Sequence, residues 1–521
     1  MVTPLHRFLE WIREESRATD LPLGPFLLAA VILHVGVLFL AVNPWHPDEH
    51  FQILGFAWAR AGRAPLDTLP WEWAARIRPT LQPALALGVL RVLEPLGLDD
   101  PWSWNLTLRL GTLVLALATL LRVVAHHAPR CAPPGRRALW VIALFLWVLP
   151  LFLFRFTSEN LAGVALVGAL LAADAWRTTD EGHTRQAWRV GLFLGLAFVL
   201  RYQAAFAALG LAAWMVWRRP ERRGDLVRVV LAGTLCLAGA LLVDRWFYGA
   251  WTWTPWNYLR VNLFEGVASS FGTTPWWGYL VSWPLWMTPP LGVPVVVLVV
   301  VAVWDRWRSP WVWAPAAFLL GHSAVAHKEL RFLFPLLYVL PVLLAWGWSF
   351  ATLRIGIRVR RVVVGAFLAL NATMVLVLLT PPAHAGTVVD GDYYRFLWRR
   401  AEAVAPEPVY VLHAGAGPYD LYELQEEVYR HPGVVGVQVD PGEPLPELVR
   451  GAPPYRRLLL EISHEPGFSL EGVRVGEVVY RPNPGTHPFV RWLFARLPLE
   501  SPLPEPEDVP GIRTLRPVEV R

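Results

Sequence analysis

Between Leu23 and Leu379 the chain returns repeatedly to long apolar runs, and this pattern leaves few folds open. The first run, 25–42, carries no charge, and His34 is its one polar interruption. A helix needs roughly 20 apolar residues to cross the hydrocarbon layer. Of 521 residues, 55% are hydrophobic and only 17% charged, which excludes an ordinary soluble domain. Pro22, Gly24 and the charged stretch before them mark the first run as a signal-anchor, since no small-residue cleavage site follows it. The expected architecture is an α-helical polytopic membrane protein with about eleven spans, at about 23–43, 105–121, 139–154, 161–176, 190–200, 205–217, 229–247, 281–304, 311–321, 331–350 and 362–380. The short pair 190–200 and 205–217 also fits two half-spans.

Arginine gives the orientation. The net charge of +6 comes from 46 Arg and a single Lys, Lys328. With the N-terminus in the cytoplasm, every alternate loop is Arg-rich, from Arg122, Arg130, Arg136 and Arg137 to Arg354, Arg358, Arg360 and Arg361. The outer segments, among them the loops 44–104 and 248–280, are poorer in Arg for their length. No basic stripe interleaved with aromatics occurs, so nucleic acid is set aside as a partner. Cys131 and Cys236 have no metal-ligand spacing and read as inert.

After Pro381 the composition turns to Pro, Glu and Gly. Residues 383–521 are expected to form a small extracytoplasmic α/β domain, set off from a membrane part at 1–382. β-like segments are expected at 409–413, 434–439, 458–462 and 473–480, and helices at 393–404 and 419–429. His413, His431 and His464 read as surface residues.

The polar clusters fall on the predicted outer face. The first loop opens Trp45-His46-Pro47-Asp48-Glu49-His50-Phe51-Gln52. Pro47 suits the first position of a helix, so Asp48 and Glu49 fall in its first turn, where the macrodipole favours ionised carboxylates. Phe51, Ile53, Leu54 and Trp58 then give an apolar face for a helix lying on the outer leaflet. A carboxylate there can take a proton from an incoming hydroxyl; a capped amphipathic helix explains the same residues equally well. Trp71, Glu72 and Trp73 precede Arg76 and Arg78, with tryptophans that suit either sugar stacking or an interfacial belt. Arg155 and Glu159 stand four apart, at pairing distance on a helix. Arg201 ends a predicted span, where an arginine either snorkels or grips a lipid phosphate. The loop 248–280 mixes aromatics and glycines with Asn257 and Asn262. His327-Lys328-Glu329-Leu330-Arg331-Phe332 contains the lone lysine, and His327, Lys328 and Arg331 could complement a phosphate at the membrane surface.

Taken in order, these motifs resemble those of glycosyltransferase family 22, the endoplasmic-reticulum mannosyltransferases of GPI-anchor and N-glycan assembly. The His46-Pro47-Asp48-Glu49 opening, Trp71 to Arg78, Arg155 to Asn160, Asp244 to Gly249 with Asn257 and Asn262, and His327 to Phe334 together cover 46–335. The resemblance implies a GT-C fold and an inverting transfer of mannose, or a related sugar, from a polyprenyl or dolichyl monophosphate. It implies Asp48, with Glu49 beside it, as catalytic carboxylates, with Asp48 the base. It implies His327, Lys328, Arg331 and Arg201 on the leaving phosphate, and His46, Trp71, Glu72, Arg78, Arg155, Glu159, Asn257 and Asn262 toward sugar and acceptor. It also implies neither metal nor cofactor. The Arg bias and short loops look bacterial, so the expected partners are membrane lipids and a cell-envelope glycan, glycolipid or protein acceptor, and the expected place is the inner (plasma) membrane. Two related readings are a protein O-mannosyltransferase and an aminoarabinose transferase. Two readings of other classes are a polyprenyl-lipid flippase or transporter, which would show midplane charges and inverted repeats, and a structural envelope protein.

Overall fold

The computed structural model describes residues 4–41, 43–44, 46–379, 391–413, 417–421, 424–439, 458–462, 473–475 and 514–520. Among the described residues, seven helices are long and apolar enough to cross a membrane: Leu23–Leu40, Pro101–Arg130, Pro133–Phe152, Ser158–Thr178, Asp225–Tyr248, Pro289–Arg306 and Ile357–Val377. Leu330–Tyr338 and Leu340–Thr352, bent by 67°, add an eighth if taken as one broken span. The remaining expected spans also lie on helices, His183–Leu200, Ala205–Arg218 and Pro310–Ala324, of which the last two are only 14 and 15 residues long.

Two expected spans are interrupted, each by proline. The run at 281–304 is divided into Gly278–Trp286 and Pro289–Arg306. Thr288 between them has φ +63°; Pro289 bars it from the ordinary helical region and supplies no N–H of its own. The run at 331–350 is a 3₁₀ stretch over Leu330–Tyr338, containing Pro335, followed by an α-helix whose second residue is Pro341.

The chain forms two compact units. The first comprises Met1–Leu38, Ala75–Leu93 and Ser103–Leu376; the second comprises Phe39–Ala74, Glu94–Trp102 and Val377–Arg521. The second unit thus takes in much of the segment 44–104 together with the C-terminal region, whereas the sequence suggests one boundary, at 382/383.

Small residues set the helix spacing in the first unit, as is usual where lipid supplies no hydrophobic drive between helices. A Cβ on Gly191 would stand 2.3 Å from the Val229 carbonyl oxygen and 2.7 Å from Ala232 Cβ. One on Gly195 would stand 2.8 Å from Gly233 Cα and from Cys236 Cβ. The helices His183–Leu200 and Asp225–Tyr248 therefore touch backbone to backbone. Gly191→Ala should lower the thermal midpoint of the detergent-solubilised protein, at an overpacking cost of about 1–3 kcal/mol. Gly111→Ala, where a Cβ meets nothing within 4 Å, should leave it unchanged or raise it; equal midpoints for the two variants would rule out close packing at Gly191.

In the second unit, β1 (Val409–His413), β2 (Asp420–Leu421), β3 (Leu424–Gln425), β4 (Val434–Gln438), β5 (Leu458–Ile462), β6 (Val473–Val475) and β7 (Thr514–Val520) are described. Five form one sheet, ordered β4-β1-β5-β7-β6, and β2 and β3 form a separate pair. β1 runs parallel to β4 and β5, while β7 runs antiparallel to β5 and β6. The expected helix is present as Gly391–Val404, and its Tyr393, Tyr394, Leu397 and Ala401 pack with Val409, Val411 and Val434 of the strands. The helix expected over 419–429 is instead the β2–β3 hairpin. Burying Tyr419, Leu421 and Tyr429 in one cluster outweighs the helical propensity of its Leu and Glu residues. His413 is buried, not at the surface, because β1 is the central parallel strand. His464 and residues 476–480 lie outside the described residues.

Candidate active site

The acidic loop is built as its first residues require. Pro47 occupies the first helical position, and the His46 ring nitrogen Nδ1 accepts the Asp48 N–H at 3.2 Å. Asp48 and Glu49 follow in this single turn, both half-buried, with Asp48 Oδ1 3.4 Å from His46 Nδ1. The chain then widens into a π-turn over His50–Gly55 before Phe56–Arg60 resumes the α-helix; such π-turns recur at functional sites. The amphipathic helix expected on the leaflet does not form. Residues 50–59 are buried all round, as in a helix packed within protein. Gln52 Nε2 donates to Glu72 Oε1 at 2.8 Å, so the buried Glu72 ties the helix Trp71–Ala75 to this turn. Trp71 stays exposed.

A charged cluster lies inside the first unit. Thr157 caps the helix Ser158–Thr178, its hydroxyl accepting the Asn160 N–H. Arg155 lies ahead of that cap, outside the helix that carries Glu159; its Nε donates to the Leu151 carbonyl at 3.0 Å, and its guanidinium stands 5.1 Å over Phe154. Arg201 instead reaches Glu159 from the end of His183–Leu200, with Nη1 2.8 Å from Glu159 Oε1 and 3.2 Å from Ser158 Oγ. Arg201 is 6% exposed, and among the described residues its Nε and Nη2 have no hydrogen-bond partner. A buried guanidinium with two unused donors is costly unless a ligand supplies acceptors.

Arg331 joins from the other side, with Nη1 3.8 Å from Glu159 and Nη2 3.1 Å from Glu329 Oε1. Phe332 packs under both guanidinia at 5.0 and 5.3 Å. His327 Nε2 lies 3.0 Å from Glu329, and its Nδ1 lies 3.0 Å from the Gly272 carbonyl. Arg201, Arg331 and His327 are thus brought to one carboxylate-bridged cluster. Lys328 behaves differently. Its ammonium donates to the carbonyls of Thr274, at 2.9 Å, and Val325, which ties the loop 272–274 to the stretch before it. Partial burial of that ammonium holds its pKa below the ordinary lysine value.

Three further predicted residues serve a neighbouring joint. The Arg78 carbonyl accepts the Tyr248 hydroxyl at 2.9 Å, and Asn257 Nδ2 donates to the Arg76 carbonyl at 3.3 Å. Asn262 donates back to the Tyr258 carbonyl of its own helix at 3.0 Å. At the centre is Asp244, 1% exposed, whose Oδ1 accepts both the N–H (2.8 Å) and hydroxyl (2.6 Å) of Thr80. Its Oδ2 accepts the Thr254 hydroxyl at 2.6 Å, and Thr254 in turn accepts from Tyr202 at 2.7 Å. Three hydrogen bonds to one buried carboxyl group satisfy its oxygens and fix the joint.

Sequence reasoning placed Ser158 and Asn160 within the Arg155–Asn160 motif without giving them a role, and it missed Tyr338. Asn160 donates to the carbonyls of Phe152, Leu153 and Arg155 and accepts from the Tyr338 hydroxyl, which fixes the strand-like entry to the cap. A capping Thr three residues before an Asn was the available signal. Among the described residues, metal-ligating side chains converge at His126, His127 and Asp174. None of these is a predicted site residue, and Asp174 Oδ2 there already faces His126 Nε2 and Trp311 Nε1 at 3.0 and 2.9 Å.

Helical spans, an acidic turn opened by His-Pro-Asp-Glu and a buried arginine–carboxylate cluster fit one class of membrane protein. The model of the Alg9-like mannosyltransferase family matches residues 25–400, and the chain belongs to that family. It is 27% identical over 341 residues to GPI alpha-1,2-mannosyltransferase 3 of Xenopus laevis, covering 63% of this chain and 60% of the relative. It is 27% identical over 298 residues to GPI mannosyltransferase 3 of Yarrowia lipolytica, covering 57% and 56%. The chain thus spans about three fifths of the length of these curated relatives. The crystal structure of ArnT from Cupriavidus metallidurans in the apo state is similar at a TM-score of 0.46 and 13% identity, over 95% of this chain and 98% of that one.

Proposed function

We propose that the protein is an inverting glycosyltransferase that moves mannose, or a related sugar, from a polyprenyl-phosphate carrier to an acceptor hydroxyl. The observation that carries this reading is Arg201: a buried guanidinium, braced by Glu159 and beside Arg331, with two N–H donors unmet. A phosphate oxygen pair matches such a fork. In the reaction, Asp48 takes the proton of the acceptor hydroxyl as its oxygen bonds to C1. The C1–O bond to phosphate breaks on the opposite face, and the pair of electrons leaves on the polyprenyl phosphate, whose charge Arg201 and Arg331 offset. Glu49 stands beside Asp48, and His46 holds the turn. The proposed acceptor is a cell-envelope glycan, glycolipid or protein. The proposed setting is the outer face of the inner (plasma) membrane, with the N-terminus in the cytoplasm and the C-terminal domain outside.

The test is transfer of label from radiolabelled polyprenyl-phosphate mannose in purified membranes carrying the protein. Label appearing in a new lipid, glycan or protein only when the protein is present is the expected outcome. Label that crosses the bilayer on its carrier without changing acceptor would overturn the reading in favour of a flippase.

A further inference from the structure

We infer that the C-terminal region takes part in transfer by gripping the acidic turn: Glu426 and Tyr429 clamp His50, and through His50 they set the position of Asp48. The inference rests on Asp48 being the base, as proposed above.

His50 lies two residues beyond Asp48 and closes its turn, with its backbone N–H returning to the Pro47 carbonyl. The His50 ring is buried at 1% exposure. Its Nε2 stands 2.7 Å from Glu426 Oε2, and its face stacks on Tyr429 at 5.3 Å and 15°. Among the described residues neither atom has a hydrogen-bond partner, so this close pairing is the polar contact each of them makes.

Glu426 is itself fixed from behind. Its Oε1 accepts the N–H groups of Val428 and Tyr429 at 2.9 and 3.0 Å, and its own N–H donates to the Tyr419 carbonyl at 2.7 Å. Tyr429 stacks on Tyr394 at 6.0 Å, and Tyr394 on Tyr419 at 5.6 Å. A continuous packed path therefore leads from the helix Gly391–Val404 through Tyr394 and Tyr429 to His50, with Tyr419 stacked on Tyr394 beside it. Phe51, the next residue, sits in the same cluster, and Gln52 is tied to Glu72.

The His50–Gln52 part of the motif is thus buried anchorage, while Asp48 and Glu49 remain half-exposed. If the pocket only needed filling, an apolar side chain at 426 would do so without the desolvation that a wholly buried carboxylate incurs. A carboxylate opposite a histidine fixes direction as well as volume, which is what a base needs, since a misplacement of about 1 Å can lower turnover about a hundredfold.

The experiment uses the full chain in nanodiscs and reads kcat, KM for the lipid donor, and deuterium uptake in peptides spanning 46–56. Glu426→Gln is expected to lower kcat about 10- to 100-fold at near-constant KM and to raise uptake in those peptides. His50→Gln should do the same, and the double variant should be no worse than either single one. Glu427→Gln, which weakens the pair with the exposed Arg430, should leave every readout unchanged. Wild-type kcat and uptake in Glu426→Gln, with Asp48→Asn inactive, would overturn the clamp. Should Asp48→Asn remain active, the base assignment fails separately, and the uptake alone decides whether Glu426 holds the turn. If Glu426→Gln does not accumulate, His50→Gln and Tyr429→Leu read the same contact from its other side.

Discussion

Asp48→Asn is expected to reduce kcat for sugar transfer by about 10²- to 10⁴-fold, the range that a positioned general base contributes, with little change in KM for the lipid donor. The replacement keeps the size and shape of the side chain, so the turn over Pro47–Glu49 should persist, with His46 still accepting the N–H at position 48. What is lost is a basic oxygen at a site half-open to an incoming hydroxyl. A group that acts on the proton in the transition state lowers kcat and kcat/KM together when removed. Glu49→Gln should cost less, because Glu49 flanks the base in this mechanism. The outcome that sinks the assignment is Asp48→Asn retaining a tenth or more of wild-type turnover, or Glu49→Gln showing the larger loss.

The second large effect is expected at Arg201. Arg201→Gln removes one cation, at 2.8 Å, from a buried pair with Glu159, which Arg331 approaches only to 3.8 Å. Breaking a buried pair from one side typically costs about 3–5 kcal/mol, so this variant should melt earlier. Its kcat/KM should fall about 10²- to 10³-fold, the size of one lost transition-state donor. Arg201→Lys separates the two effects. The ammonium keeps the charge opposite Glu159, and most of the stability with it, but it cannot offer the two unmet donors as a planar fork. Measured against polyprenyl monophosphate as a competitor, Arg201→Lys should bind weakly while melting near wild type. Wild-type affinity in both variants would remove Arg201 from the phosphate site. Lys328 supplies the contrast, since its ammonium is engaged by the Thr274 and Val325 carbonyls. Lys328→Ala should therefore cost stability on the scale of two hydrogen bonds, about 1 kcal/mol each, with a smaller effect on donor affinity than Arg201→Lys.

The uniqueness of Lys328 in an arginine-rich chain pointed to a phosphate ligand. In the structure its ammonium donates to the Thr274 and Val325 carbonyls; composition does not distinguish the two uses, because a flexible ammonium with three donors suits converging backbone carbonyls as well as it suits an anion. The misjudged 419–429 segment has a parallel cause. Leu-Tyr-Glu-Leu-Gln-Glu-Glu has helical propensity, and propensity yields to the burial of Tyr419, Leu421 and Tyr429 around Tyr394.

By itself the sequence determined what depends on local composition and short-range geometry. Apolar runs required helices of membrane-spanning character, Pro47 required a helix start that puts Asp48 and Glu49 in its first turn, and the ordered motifs required the family. Tertiary structure decided which residues meet. Glu159 pairs with Arg201, 42 positions away, at the end of another helix. Asp244 gathers Thr80 and Thr254, and His50 meets Glu426, at separations no periodicity encodes. Such pairings depend on how helices and strands pack, since a buried charge must find its partner wherever the fold brings one within reach.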